Sequence, residues 1–76
     1  MMRVEFDRED DGRWIAEVPD LPGVLAYGQT QQEALAKAQS LALRVLADRV
    51  ENGEPIPEGA GSLLVAHFSR FPPDDV

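Results

Sequence analysis

The groups able to do chemistry in this sequence are few: His67, three serines, and fourteen carboxylates spread along 76 residues. A serine nucleophile would need His67 beside Ser40, Ser62 or Ser69. Ser69 shares a strand face with His67, but two residues along a strand separates them by roughly 6 to 7 Å, and no acid is placed to orient the imidazole. A surface or edge histidine is the better reading. Metal-assisted phosphodiester cleavage needs several carboxylates converging on two ions. Glu5 and Asp7 alternate onto one strand face, with Asp48 and Glu51 as the only conceivable complement. A helix that covers the apolar face of Val4 and Phe6 turns its polar side away from Glu5 and Asp7, so the four do not converge. Glu9-Asp10-Asp11 lacks the spaced ligands and distant closing carboxylate of a calcium loop and reads as a solvated turn. No glycine-rich loop with a lysine precedes a helix to cradle phosphate. These residues predict no catalytic site, no metal and no cofactor.

Charge says more than chemistry. The net charge is -7 and the pI about 4.4. Residues 1–28 carry three basic groups against seven acidic, residues 29–53 three of each, and residues 54–76 one against four. Direct nucleic-acid binding needs clustered cations and is not expected. A basic protein partner complements such a surface, although charge kept for solubility explains the same balance. There is no cysteine to form a disulfide or a zinc site. A single domain of this size buries only about 60% of its unfolded surface, which makes self-association a natural supplement. No run is apolar or long enough to cross a bilayer, and MMRVEFDRED lacks the apolar core of a secretion signal. A cytoplasmic protein is expected.

The positioning elements are marked by their own punctuation. Met2, Val4 and Phe6 alternate with Arg3, Glu5 and Asp7 over residues 2–8, a half-buried strand. Asp11-Gly12 turns the chain. Arg13–Val18 resumes the alternation, with Trp14, Ala16 and Val18 toward the core and Ile15 on the other face. Pro19-Asp20-Leu21-Pro22-Gly23 is a stiff connection, since Pro22 presets φ and Gly23 accepts a positive one. It presents Leu21 either as an apolar anchor for a partner or as a lid over one end of the core. Val24–Tyr27 is a short third strand ended by Gly28.

Thr30-Gln31-Gln32-Glu33 is a capping box, and it predicts a helix from Gln31 to about Asn52, stopped by Gly53. Ala34, Leu35, Ala38, Leu41, Ala42, Val45 and Leu46 form one apolar stripe. Ala36, Leu43, Ala47 and Val50 carry apolar character past the roughly 100° that one sheet face covers. Helix propensity accounts for the alanines but not for Leu43, so these four residues are the expected interface with a second copy in a dimer or tetramer. Glu54–Ser62 reads as a loop, Leu63–Arg70 as a fourth strand, and Phe71–Val76 as a flexible tail. The expected fold is α+β: a two-layer β-β-β-α-β unit over residues 1–70, its mostly antiparallel sheet covered on one face by the helix, with a right-handed crossover carrying the fourth strand to the side of the first.

The string WIAEVPDLPGVLAYGQTQQEAL, followed by a helix ending in DRVENGEPIP, resembles the HicB antitoxin family, once grouped with uncharacterised small proteins of the same pattern. The likeness spans about residues 3–70. It implies a degraded RNase H-like fold without the nuclease carboxylates. It also implies a role in a type II toxin-antitoxin system: binding a small basic ribonuclease of the HicA type and covering its catalytic histidine, rather than acting as an enzyme. The alternative is an orphan homo-oligomeric scaffold of the same fold. Surface reasoning, not family motif positions, makes Glu5, Asp7, Glu9, Glu17 and Leu21 the expected toxin contacts. Typical members add a C-terminal DNA-binding segment; residues up to Val76 include none, so direct DNA binding is not expected.

Overall fold

The computed structural model describes residues 2–63. Three short strands, β1 (Glu5–Arg8), β2 (Trp14–Glu17) and β3 (Leu25–Gly28), precede a long helix α1 (Gln31–Glu51) and a short helix α2 (Glu58–Leu63). The strands form an antiparallel sheet in the order β1-β2-β3, and α1 packs on one face of it, an α+β arrangement. The register aligns Phe6, Ala16 and Ala26 across the sheet, and sets Trp14 opposite Gly28. These are the residues whose alternation points them at the helix.

Local chemistry sets each junction. Gly12 has φ 91° and is the only residue of the first hairpin with a positive φ; its N–H donates to Glu9 O at 2.9 Å, and Glu9 N–H donates to Arg13 O at 2.7 Å. One glycine in the left-handed region, not two residues as a type I′ Asp-Gly turn requires, gives the longer loop with a glycine bulge. One arm of the capping box forms as expected, with Glu33 N–H donating to Thr30 Oγ1 at 3.0 Å; the other reaches one residue further back, with Glu33 Oε1 accepting from the Gln29 N–H at 2.5 Å in place of the N-cap amide. The Gln29 N–H, and then the Lys37 ammonium, hold the Glu33 carboxyl below its ordinary pKa. At the far end Gly53 has φ 71°; Glu54 N–H reaches Arg49 O at 2.8 Å and Gly53 N–H reaches Val50 O at 3.2 Å, the paired bonds of a Schellman stop.

Ala34, Ala38, Ala42 and Leu46 are the buried row of α1. The first two meet Ala16, with Val4, Phe6, Trp14 and Ala26 around them. Ala42 and Leu46 join Val18, Leu21, Val24 and Ala60 in a second cluster, bordered by Met2, Leu41, Val45 and Ile56. Phe6 and Trp14 meet edge to face, 6.5 Å between centroids, and the Arg8 guanidinium lies 4.9 Å from the Trp14 ring centre. Trp14 is therefore a half-buried anchor at the rim of the core.

Three expectations change. Met2, Arg3 and Val4 lie outside the ladder, although Met2 and Val4 still pack on the core. The expected loop Glu54–Ser62 contains most of α2: Ala60 N–H donates to Pro57 O at 3.0 Å, and Ala60 is fully buried. Ile56 and Ala60, four apart, bury together at the end of the core, and that packing outweighs the low helix propensity of Gly59 and Gly61. Leu63, expected to open a fourth strand, is the last residue of α2. The rest of that strand, His67, Ser69, the crossover and the tail Phe71–Val76 lie outside the described residues. No helix among the described residues is long and apolar enough to cross a membrane.

Two outcomes test this account. A Cβ at Gly28 would collide with the Ala34 backbone nitrogen and lie 3.0 Å from Ala34 Cα. Gly28→Ala should therefore cost about 1–3 kcal/mol, read as a lower urea midpoint at unchanged slope. Because the Glu33 pKa is lowered on folding, its contribution is present above the ordinary carboxylate pKa and is lost as pH falls through the lowered value. The stability gap between the native chain and Glu33→Gln should close over that acid range.

Candidate protein-binding face

The side of the sheet turned away from α1 receives the other half of each strand's alternation. Glu5 and Asp7 on β1, Ile15 and Glu17 on β2, and Leu25 and Tyr27 on β3 share it. The register makes two rows across the three strands, Asp7-Ile15-Tyr27 and Glu5-Glu17-Leu25. Leu25 and Tyr27 are each 39% exposed, and Ile15 between them is half-buried. This face is thus an apolar centre flanked by three exposed carboxylates.

One end of the face is fixed in place. The Arg13 guanidinium lies 4.6 Å from the Tyr27 ring centre and meets Asp11 Oδ2 at 2.8 Å. Arg13 N–H also donates to Asp11 Oδ1 at 3.0 Å. This backbone bond is the main cause of a lowered Asp11 pKa, with the Arg13 side chain adding to it. The cation thus lies between its acid and the Tyr27 ring. At the other end Arg3 meets Glu5 at 3.2 Å, easing the like-charge pairing of Glu5 with Glu17 directly opposite. A recess of about 210 Å³ beside Tyr27 is lined by Arg13, Gln29, Glu33 and Lys37. Its cations already pair, Arg13 with Asp11 and Lys37 with Glu33 at 3.7 Å, so it is not an anion pocket.

The five expected contact residues divide. Glu5, Asp7 and Glu17 come together on the outer sheet face. Glu9 stands apart in the β1–β2 turn, half-buried. Leu21 is not on any surface: its exposure is 0%. Two consecutive turns put it there. Leu21 N–H donates to Val18 O at 2.9 Å and Val24 N–H donates to Leu21 O at 3.0 Å, so Leu21 is the shared corner and folds inward between Val18 and Val24. As an anchor for a partner it is corrected to a core residue. Ile15, Leu25 and Tyr27 are what the strand-by-strand reading missed. Ile15 had been placed on the outer face, but only cross-strand register shows that three apolar groups gather there.

Among the described residues, no group of three or more His, Asp or Glu is placed to hold a metal ion. Asp48 and Glu51, exposed on α1, lie on the opposite side of the molecule from Glu5 and Asp7, so a two-metal centre cannot assemble from these four. The arrangement is suited to binding a surface.

The chain is similar to a UPF0150 protein. The match is to UPF0150 protein Ta0767 of Thermoplasma acidophilum, 27% identical over 64 residues, which covers 84% of this chain and 93% of that protein. The two therefore share nearly their whole length rather than a fragment, and the relative's name states no activity. No family model matches the chain, and no solved structure does.

Since Leu21 is the largest fully buried side chain among the described residues, Leu21→Ala should destabilise the fold by about 2–5 kcal/mol. Leu21→Met should cost less than about 1.5 kcal/mol, both read by thermal or urea unfolding. A surface anchor would show neither loss.

Proposed function

We propose that this chain is an antitoxin-like binding module of the HicB type that captures a small basic ribonuclease through its outer sheet face. The observation that carries the proposal is the combination on that face of Ile15, Leu25 and Tyr27 with Glu5, Asp7 and Glu17. Interfaces gain affinity from a desolvated apolar centre with aromatic anchors. They gain on-rate and specificity from complementary charge at the rim. This face offers the first in a part-exposed tyrosine and two aliphatic neighbours. It offers the second in three carboxylates set against a basic partner. The VPDLPG and capping-box string supports the HicB reading and, with it, a degraded RNase H-like fold. In this reading the chain acts by binding and not by catalysis. It works in the cytoplasm, where the toxin meets its RNA, and binds no DNA through the described residues. The second reading, a homo-oligomeric scaffold without a toxin, is favoured by Leu43 and Val50, which stand exposed on α1.

The test is co-expression with any basic reading frame next to this gene. The expected outcome is a stable complex that suppresses the partner's cleavage of RNA. Glu5→Lys/Glu17→Lys should slow association by about tenfold or more and abolish much of its salt dependence. Leu25→Ala and Tyr27→Ala should instead speed dissociation, by stopped-flow or surface-binding kinetics. No complex with any such product, together with nothing basic recovered on the chain from its native cell, leaves the scaffold reading standing.

A further inference from the structure

α1 carries a second apolar stripe that the sheet does not use. At about 100° per residue, Ala36, Leu43, Ala47 and Val50 fall within about 60° of arc, centred roughly 130° round the helix from the middle of the buried row Ala34, Ala38, Ala42 and Leu46. Leu43 is 65% exposed and Val50 55%, the two most exposed large apolar residues among those described, seven apart on one line. Ser40 completes the stripe with another small side chain. Its two borders differ. One carries Lys37, Arg44 and Glu51, spaced by seven, with Glu33 at the start; the other carries Gln32 and Gln39 and is uncharged.

We propose that this face is covered by the same face of a second copy, with the two α1 helices antiparallel about a twofold axis and Leu43 of each chain set against Ala47 of the other. The charge order along the border selects this occupant and this direction. Reversing one helix brings Lys37 near the partner's Glu51, and twofold symmetry makes that contact twice. Arg44 falls near the axis on the wet rim, where a like charge is screened. A parallel pair would set Lys37, Arg44 and Glu51 against the partner's glutamines, form no ion pair, and align two helix dipoles unfavourably. The small side chains of Ala36, Ser40 and Ala47 let the helices approach near the lower end of the roughly 8–10 Å range of packed helices. In the same register Val50 meets the partner's Ser40, so each large apolar group on one helix faces a small residue on the other.

This pairing does not rest on the toxin-binding proposal, and either can fail while the other holds. The full chain should sediment as a dimer that dissociates on dilution. Leu43→Glu should sediment as a monomer with unchanged helix content, since the side chain is 65% exposed and only borders the groove beside Ala42 and Leu46. Lys37→Glu should weaken the dimer by roughly three- to thirtyfold, and Lys37→Glu/Glu51→Lys should restore it. The chain has no cysteine, so a mixture of Leu43→Cys and Ala47→Cys chains reports the register: the mixed disulfide should form faster than either homodisulfide. Overturning results are a monomeric native chain at every concentration, a Leu43→Glu dimer, no rescue by the charge exchange, or a dominant Leu43→Cys homodisulfide. A monomer in which the Leu43→Cys thiol resists alkylation would assign the cover to another part of the same chain, and also overturns the pairing.

Discussion

The close contact between α1 and the sheet is the constraint from which the rest of this structure follows. Where the helix crosses β2 and the end of β3, the contact is made by Ala34 and Ala38 against Ala16 and Gly28. Small residues on both sides let the helix start low on the sheet, which is why Gly28 has no room for a side chain. The capping box sits immediately above this contact, so helix start and packing reinforce each other. Farther along, the buried row changes from alanine to Leu46, and the gap between the layers is filled by Val18, Leu21 and Val24 from the double turn and by Ala60 from α2. The helix thus sits tight at one end and is wedged at the other.

A contact made of alanines buries little apolar area per residue. At about 25 cal/mol per Å², an alanine contributes far less than a leucine in the same place. The chain compensates by recruiting side chains from outside the ladder, namely Met2, Val4, Ile56 and Leu21. It leaves its larger apolar groups in part on two outer surfaces, the sheet face with Ile15, Leu25 and Tyr27 and the helix face with Leu43 and Val50. In a small domain whose core is already thin, this distribution favours function through association.

How much of this was readable in the residues depended on whether the signal was local. The Thr30 cap, the Schellman glycine, the Pro22-Gly23 turn and the sheet-facing row of α1 are set by neighbours within four residues, and they form as expected. Leu21 was not decidable, because a loop has no period to say which way a side chain turns; the answer lay in two backbone hydrogen bonds sharing one corner. The helical turn at Glu58–Leu63 was hidden by two glycines, whose low propensity is overridden by burial of Ile56 and Ala60. The apolar patch on the outer sheet face depends on register across three strands, which no single strand encodes. The carboxylates of that face were legible because alternation alone puts Glu5, Asp7 and Glu17 on the wet side.

The two outer faces lie on opposite sides of a two-layer unit, and that geometry decides how they can be used together. The acidic excess sits in residues 1–28, whereas the segment containing α1 is neutral overall. Self-association through the sheet face would press Glu5, Asp7 and Glu17 against their own copies, and like charges brought together at short range oppose binding. Self-association through α1 brings together the neutral segment and keeps the carboxylates of the two copies apart by the thickness of both layers, well beyond the screening length of roughly 8 Å at physiological salt. A dimer formed that way presents two unobstructed acidic faces pointing outward. Each could take a basic partner without disturbing the helix pair, and linking the two sites in one particle would strengthen capture of any partner that is itself multivalent. On the proposed scheme the charge distribution suits the two apolar surfaces to opposite roles, the neutral one to the same chain and the acidic one to a basic partner.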